Sequence, residues 1–274
     1  RLLMLSRQDL TGENRDGNME LFLIDLKTNE TLQLTRTSGF EPFPDGFSAD
    51  RELTRIAFRS DRSPQSGQQA KQNDIYVLDL EQGDLHTVTS GAFDLREPSQ
   101  PVLSGNGKRI AIISESDPSG GNVDQNSQVF LYDIDSSNFV QASQILAASS
   151  LIRDVALSET GRFLAMLISH FNFSEIQVLD TASGQTVLSY TGSHFSNLSL
   201  SSDGKSILFV SSASFEGQTQ RDGSQEIFKL SWTSPGGPYS LRQLTDLPPL
   251  ANPLVENVAY SRNGKWIAFE SRAD

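Results

Sequence analysis

The sequence predicts an all-β fold, specifically a β-propeller of four-stranded antiparallel blades. Three observations carry that prediction: a phrase of strands that recurs along the chain, apolar runs too short for helices, and clusters of Gly, Pro, Ser, Asn and Asp between them. The repeats run from one end to the other, so residues 1–274 are read as a single domain. A hydrophobic content of 36% with 20 Gly and 11 Pro suits many short strands joined by tight turns and argues against disorder.

Each repeat holds four elements in fixed order. The first is an alternating stretch that ends in a Ser-x-x-Gly or Ser-x-Asp turn, at 43–50, 101–107, 155–161, 198–204 and 258–264. The second follows at once as an apolar run, at 56–60, 110–114, 164–168, 207–211 and 267–271, with a sixth copy at 2–6. Its lack of polar residues reads as a strand buried on both faces. The third has the form x-Ile/Leu/Val-Phe/Tyr-x-Leu-Asp, at 21–25, 75–79, 129–133, 176–180 and 227–231. Leu21 and Leu23 alternate with Phe22 and Ile24, so both faces of this strand are apolar, as required of a sheet sandwiched between neighbouring sheets. The fourth, weaker, strand is expected at 31–35, 85–89, 144–148, 186–190 and 241–245.

Positions 25, 79, 133, 180 and 231 close the third element and stand 54, 54, 47 and 51 residues apart. A two-sheet sandwich does not require so even a period, and a solenoid spends fewer residues on each coil. With the four elements named a to d, the chain reads b-c-d, four complete a-b-c-d units, and a final a-b. Six blades with an incomplete closing blade are favoured. The alternative is five, closed by pairing of the last a strand with the first blade. Because the sequence starts at Arg1 inside an apparent strand, one or both ends of the domain are expected to be cut.

The net charge of −12 opposes binding to nucleic acid or to an anionic membrane surface and favours a basic or zwitterionic partner. Cysteine is absent, which excludes disulfides and thiolate metal sites. The longest apolar run, Phe163 to Ile168, falls well short of the roughly 20 residues that cross a bilayer, so direct membrane insertion is not expected.

Several phrases resemble a known family. Leu34-Thr35-Arg36-Thr37-Ser38-Gly39-Phe40-Glu41-Pro42, then Ser48-Ala49-Asp50, Ile56-Ala57-Phe58-Arg59-Ser60-Asp61-Arg62 and Asp74-Ile75-Tyr76-Val77-Leu78-Asp79-Leu80 resemble the repeat of TolB-like propellers. That repeat runs Leu-Thr, a loop with Pro, Ser-Pro-Asp-Gly, Ile-Ala-Phe-x-Ser-Asp-Arg and Ile-Tyr-x-Leu-Asp. The copies are degenerate, with Ala49, Gly105, Glu159, Ser202 and Arg262 in place of the Pro of Ser-Pro-Asp-Gly. The resemblance covers nearly the whole chain and implies a periplasmic or otherwise extracytoplasmic scaffold for protein partners. It does not choose among the many activities propellers host.

Features shared by every blade are assigned to the fold, so function is sought where the repeat breaks. Asp25, Asp79, Asp133 and Asp180 recur at one position and are expected to close the turn after strand c through backbone amides. The b-to-c connections at 7–19, 61–73, 115–127 and 212–225 are long, whereas the one at 169–174 is short. In a propeller they emerge on the same face as the d-to-a connections, here 36–47, 90–98, 149–154, 192–197 and 246–257. This loop-rich face is the expected recognition surface. Its candidate partner-binding residues are Phe40, Glu41, Phe93, Asp94, Arg96, Arg153, His194, Phe195 and Asp246, with Pro248 and Pro249 beside them. Aromatic and Arg side chains give large contact area for few lost rotamers. Phe40 and Phe93 have a second reading as plugs between blades.

The oxygen-rich loop from Asp9 to Asn18 offers ligands of the kind calcium accepts, but Gly12 stands where a first ligand belongs and Asp16-Gly17 is an ordinary turn, so no metal is assigned. Nor is a cofactor. No Gly-x-Ser-x-Gly elbow, His-Glu-x-x-His motif or phosphate-cradling glycine loop occurs, and His86, His170 and His194 fall in different blades. The expectation is therefore a non-enzymatic protein-binding scaffold. Its rivals are a small-molecule or glycan site in the central funnel, and an accessory propeller of a longer hydrolase.

Overall fold

A computed structural model describes residues 1–37, 44–62, 69–89, 99–146, 149–217, 223–247, 255–261 and 263–271. Six antiparallel sheets follow one another along the chain. Sheet 1 holds β1 (Leu2–Ser6), β2 (Glu20–Ile24) and β3 (Thr31–Gln33). Sheet 2 holds β4 (Pro44–Ala49), β5 (Arg55–Arg62), β6 (Gln69–Asp79) and β7 (Asp84–Thr87). Sheet 3 holds β8 (Val102–Leu103), β9 (Arg109–Ser114), β10 (Gln128–Asp133) and β11 (Asn138–Gln141). Sheet 4 holds β12 (Leu151–Leu157), β13 (Phe163–Ser169), β14 (Ser174–Asp180) and β15 (Gln185–Gly192). Sheet 5 holds β16 (Phe195–Leu200), β17 (Ser206–Ser211), β18 (Glu226–Trp232) and β19 (Tyr239–Gln243). Sheet 6 holds β20 (Val255–Tyr260) and β21 (Ile267–Ser271).

Within each sheet the strands pair in chain order, as blades require. The last a strand, β20, pairs with β21, and β1 pairs with β2, so the five-blade arrangement in which β20 completes sheet 1 is not the one adopted. Two expectations need correction. The fourth strand of sheet 3 is Asn138–Gln141, not 144–148, because it pairs with β10 directly after the turn at Asp133. The described parts of the connection 61–73 are strand, with β5 prolonged to Arg62 and β6 beginning at Gln69, which pair with each other.

The core lies between sheets. Ile56 and Phe58 of β5 pack toward sheet 1 with Leu21, whereas Ala57 between them faces Ile110 and Ile112 of sheet 3. In sheet 4, Leu164, Met166 and Ile168 face sheet 3, and Ala165 and Leu167 face sheet 5. In sheet 5, Ile207 and Phe209 face sheet 4, and Leu208 and Val210 face sheet 6. The period of two in the strand thus serves two different interfaces, which is why the second element of the repeat contains so few polar residues.

The Ser-x-x-Gly turns are held by the serine. Ser104 Oγ accepts from the Arg109 amide at 3.0 Å, Ser158 Oγ from Phe163, Ser201 Oγ from Ser206 and Ser261 Oγ from Trp266. Gly204 closes one such turn at φ +68°, and a Cβ there would lie 2.2 Å from the Phe163 ring of the preceding sheet. Neighbouring turns are also tied by backbone bonds, from Arg51 N to Gly105 O, Asn106 N to Glu159 O and Glu159 N to Ser202 O. Among the described residues no helix is long and apolar enough to cross a membrane.

Candidate functional site

At the end bearing the a-to-b and c-to-d turns, a recurring carboxylate is satisfied internally in sheets 1 to 4. Asp25 Oδ1 accepts from the Lys27 amide, Asp79 Oδ1 from Glu81 and Gln82, Asp133 Oδ1 from Ser136 and Asp180 Oδ1 from Ala182, as the turn-closing role requires. Each carboxylate then faces an arginine from the start of its neighbouring strand: Arg1–Asp25 at 3.6 Å, Arg55–Asp79 at 3.0 Å, Arg109–Asp133 at 3.7 Å and Arg162–Asp180 at 2.8 Å. Arg162 holds the Asp180 carboxyl below its ordinary value, the turn amides adding to the effect. Arg55 and Arg109 also donate to Gly107 O and Gly161 O of the next sheet, while Arg51 pairs with Glu159 at 2.7 Å.

The loop-rich end is built on a recurring clamp that the sequence reading passed over. A hydroxyl just past strand d donates to a polar side chain of strand c, Thr35 to Glu20, Thr89 to Asp74, Ser143 to Gln128 and Thr245 to Glu226, while in sheet 4 Ser189, inside β15, donates to Glu175. Thr35, Thr89, Ser143 and Thr245 also accept the amide one residue further along strand c, from Leu21, Ile75, Val129 and Ile227. A buried Glu20 or Glu226 is tolerable because its oxygens are filled in this way. In sheets 1, 2, 3 and 5 the clamp sits where the d-to-a connection leaves the sheet. Since it recurs, it belongs to the fold.

Against that background one cleft departs from the repeat. It opens between sheets 3 and 4, with a volume of about 700 Å³, and is lined by Ile113, Ser114 and Glu115 on one side and Leu151, Ile152 and Arg153 on the other. Arg153 is the extra residue of a β-bulge: Ile152 pairs with Ile168 and Asp154 with Leu167, leaving Arg153 unpaired between them. A bulge re-aims a side chain, and that of Arg153 is exposed. The corresponding bulges of β4, β16 and β20 contain Gly46, Asn197 and Asn257 instead. Next to it, the Asp154 carboxylate accepts from Val155 and, across to sheet 5, from Leu198 at 2.7 Å, with burial pushing its carboxyl up. Arg153 thus has no side-chain partner among the described residues, next to an anchored strand residue.

Beside the cleft, the short hairpin between β13 and β14 presents Phe171 at 88% exposure and Phe173 at 45%, with the His170 ring stacked on Phe173 at 4.3 Å. Ser150 Oγ lies 2.8 Å from His170 Nδ1, and His170 Nε2 lies 3.3 Å from Glu175 Oε2. The fold places these three like a nucleophile, base and acid, but Ser150 is only 2% exposed, out of a substrate's reach. The chain instead fixes the hairpin against strand β12.

Of the candidates expected on this face, Arg153 lines the cleft, while His194, at φ +56°, and Asp246 are exposed elsewhere on the loops. Phe195 is placed differently. Its ring is 8% exposed and packs on Phe209 at 4.9 Å and Tyr190 at 5.8 Å, so it serves the core between sheets 4 and 5 and is not presented to a partner. The turn before it is too short to keep Phe195 out of β16. Phe40, Glu41, Phe93, Asp94, Arg96, Pro248 and Pro249 lie outside the described residues. Glu115, Leu151, Phe171 and Phe173 were not singled out from sequence. Two phenylalanines in a six-residue connection with no core face to serve were the available signal.

The loop from Asp9 to Asn18 is closed by its own bonds. Asp9 accepts the Asn14 amide at 2.9 Å, and Asn14 Nδ2 donates to Asn18 O. Asp117, Asn122 and Asn126 repeat this pattern in sheet 3, which assigns it to the fold.

No family model and no curated protein matches the sequence. Solved structures do. TolB from Acinetobacter baumannii is 17% identical, with a TM-score of 0.54 over 97% of this chain and 56% of that one. The chain has a TolB-like β-propeller fold. The propeller also resembles a chain from a structural and mechanistic study of two prolyl endopeptidases, 12% identical with a TM-score of 0.59 over 92% of this chain and 36% of that one. A chain of a nidogen/laminin complex is 12% identical, with a TM-score of 0.54 over 98% and 84%. This TolB-like propeller spans about half the length of the Acinetobacter protein.

Proposed function

We propose that the chain is a non-catalytic protein-binding scaffold that recognises its partner through the loop-rich face, in an extracytoplasmic setting. One observation carries this reading: charged and aromatic side chains are presented together around one cleft of the loop-rich end. Arg153 and Glu115 line that cleft with no side-chain partner among the described residues, whereas Arg36 and Glu13 of the same end pair with each other. Exposed Phe171 and Phe173 adjoin them, and exposed aromatic and Arg side chains are the usual anchors of interfaces. The likeness to TolB and to a chain of the nidogen/laminin complex is compatible with protein recognition.

A second reading is that this propeller is the accessory domain of a longer hydrolase. It rests on the likeness to 36% of a prolyl endopeptidase chain. Here too the loop-rich face would make the contact.

The test is site-specific photo-cross-linking in the native cell. A photoreactive residue is placed at Glu115 on the loop-rich face or at Lys205 on the turn face, and the adducts are identified by mass spectrometry. Discrete protein adducts from position 115 and not from 205 are expected. Adducts from 205 alone, or from neither, would remove the proposal.

A further inference from the structure

The cleft between sheets 3 and 4 has features that say more about its occupant than the face as a whole does. Its apolar part is formed by Ile113, Leu151 and Ile152, and Leu151 is 36% exposed. Ser114 Oγ and Ser127 Oγ accept from the Ser116 and Ile152 amides, so they are held in the wall as neutral hydroxyls. The charged groups that remain are Glu115 on the sheet 3 wall and Arg153 on the sheet 4 wall. They are of opposite sign, yet no ion pair joins them or engages either with another described residue. Two charges of opposite sign on opposite walls of an apolar slot, unpaired among the described residues, match a ligand with complementary charges at both ends.

The geometry points to an extended polypeptide segment as that ligand: an apolar side chain seated on Leu151 and Ile152, flanked by a basic residue at Glu115 and an acidic residue at Arg153. This inference rests on the reading of the face as a protein-binding surface. An extended chain advances about 3.3 Å per residue and alternates its side chains, so one short segment can reach both walls while seating an apolar residue between them. Phe171 and Phe173 continue the apolar surface past the end of the cleft along β12, to which Ser169 is paired through Leu151. That extension favours a chain over a compact small molecule. The net charge of −12 adds a field that draws the basic end in and repels nucleic acid.

Fluorescence anisotropy with the full chain tests the idea. The probes are fluorescein-labelled synthetic peptides in which one Leu lies between a Lys and an Asp, at separations of one to three residues. Saturable binding is expected for at least one spacing. Replacing its Leu with Ser should weaken binding about tenfold or more, as loss of one buried aliphatic side chain implies. Arg153→Glu should abolish binding of that peptide and restore it for the version carrying Lys in place of Asp, with the melting temperature unchanged. Absence of binding at every spacing, or binding indifferent to Arg153→Glu, overturns the inference. If cross-links from position 115 persist while every peptide fails, the peptide assignment falls and the scaffold reading stands; loss of both removes both.

Discussion

Phe195→Ala separates a contact residue from a core residue. The ring of Phe195 is 8% exposed, meets Phe209 edge-on at 4.9 Å, stacks near Tyr190 at 5.8 Å and lies 6.2 Å from Phe215. Gly192 packs so closely on it that a Cβ there would fall 2.4 Å from the ring. Truncation leaves a cavity in an interface that cannot collapse freely, because Phe209 and Phe228 on the same cluster are fully buried. The expected loss is about 3 to 5 kcal/mol. In a domain of this size that corresponds to a fall in melting temperature of roughly 6 to 20 °C. Urea unfolding followed by tryptophan fluorescence measures it, with Trp232 of the same cluster as a local reporter. Phe195→Leu, which keeps most of the volume, should lose less than half as much. A Phe195→Ala variant within about 1 kcal/mol of the parent would place the ring outside the core and refute the packing argument. It follows that weakened partner capture by Phe195→Ala reports on the fold, whereas Arg153→Ala reports on the surface.

Three further outcomes are expected. Thr35→Val removes the hydroxyl that donates to buried Glu20 and accepts from Leu21, and should cost about 2 to 4 kcal/mol in denaturant unfolding, whereas Thr35→Ser should stay close to the parent. Gly204→Ala meets both a left-handed backbone at φ +68° and the Phe163 ring, for a loss of about 2 to 3 kcal/mol; a neutral result in the same assay would contradict the turn geometry. The Asp180 carboxyl is held low by Arg162, so its stabilising contribution is present above the unfolded value of about 3.9 and disappears as pH falls through the folded value. The stability gap between the parent and Asp180→Asn should therefore be larger at pH 7 than at pH 3, and an equal gap at both would exclude the ion pair as its source.

The blades could be read from sequence because their strands obey one simple rule. Runs such as Ile56-Ala57-Phe58 and Leu164-Ala165-Met166 are apolar at successive positions, which only a strand enclosed on both faces needs. The fourth strand is half exposed and obeys no such rule. In sheet 3 the apolar pair Ile145-Leu146 drew the expectation to 144–148, but the strand that actually pairs is Asn138–Gln141, and Leu146 is exposed beyond it. The clamp was hidden for another reason: Glu20 and Thr35 are 15 residues apart, and only the sheet brings them together.

The site was read less well because its members share no period. Arg153 was singled out by residue type and lies in the cleft, while Phe195 was singled out on the same grounds and lies in the core. The difference is a bulge in β12 and a short turn before β16, neither of which leaves a mark on composition. Glu115 passed as one more polar loop residue. Its significance comes from lining the cleft without a side-chain partner among the described residues, which only coordinates reveal.

The most direct test of recognition through the loop-rich face is hydrogen–deuterium exchange of the full chain with and without the protein captured at position 115. The account predicts new protection at 113–116, 127–128, 150–155 and 170–174. Protection confined to the a-to-b turns at 50–55, 104–109, 158–163 and 201–206 would contradict it.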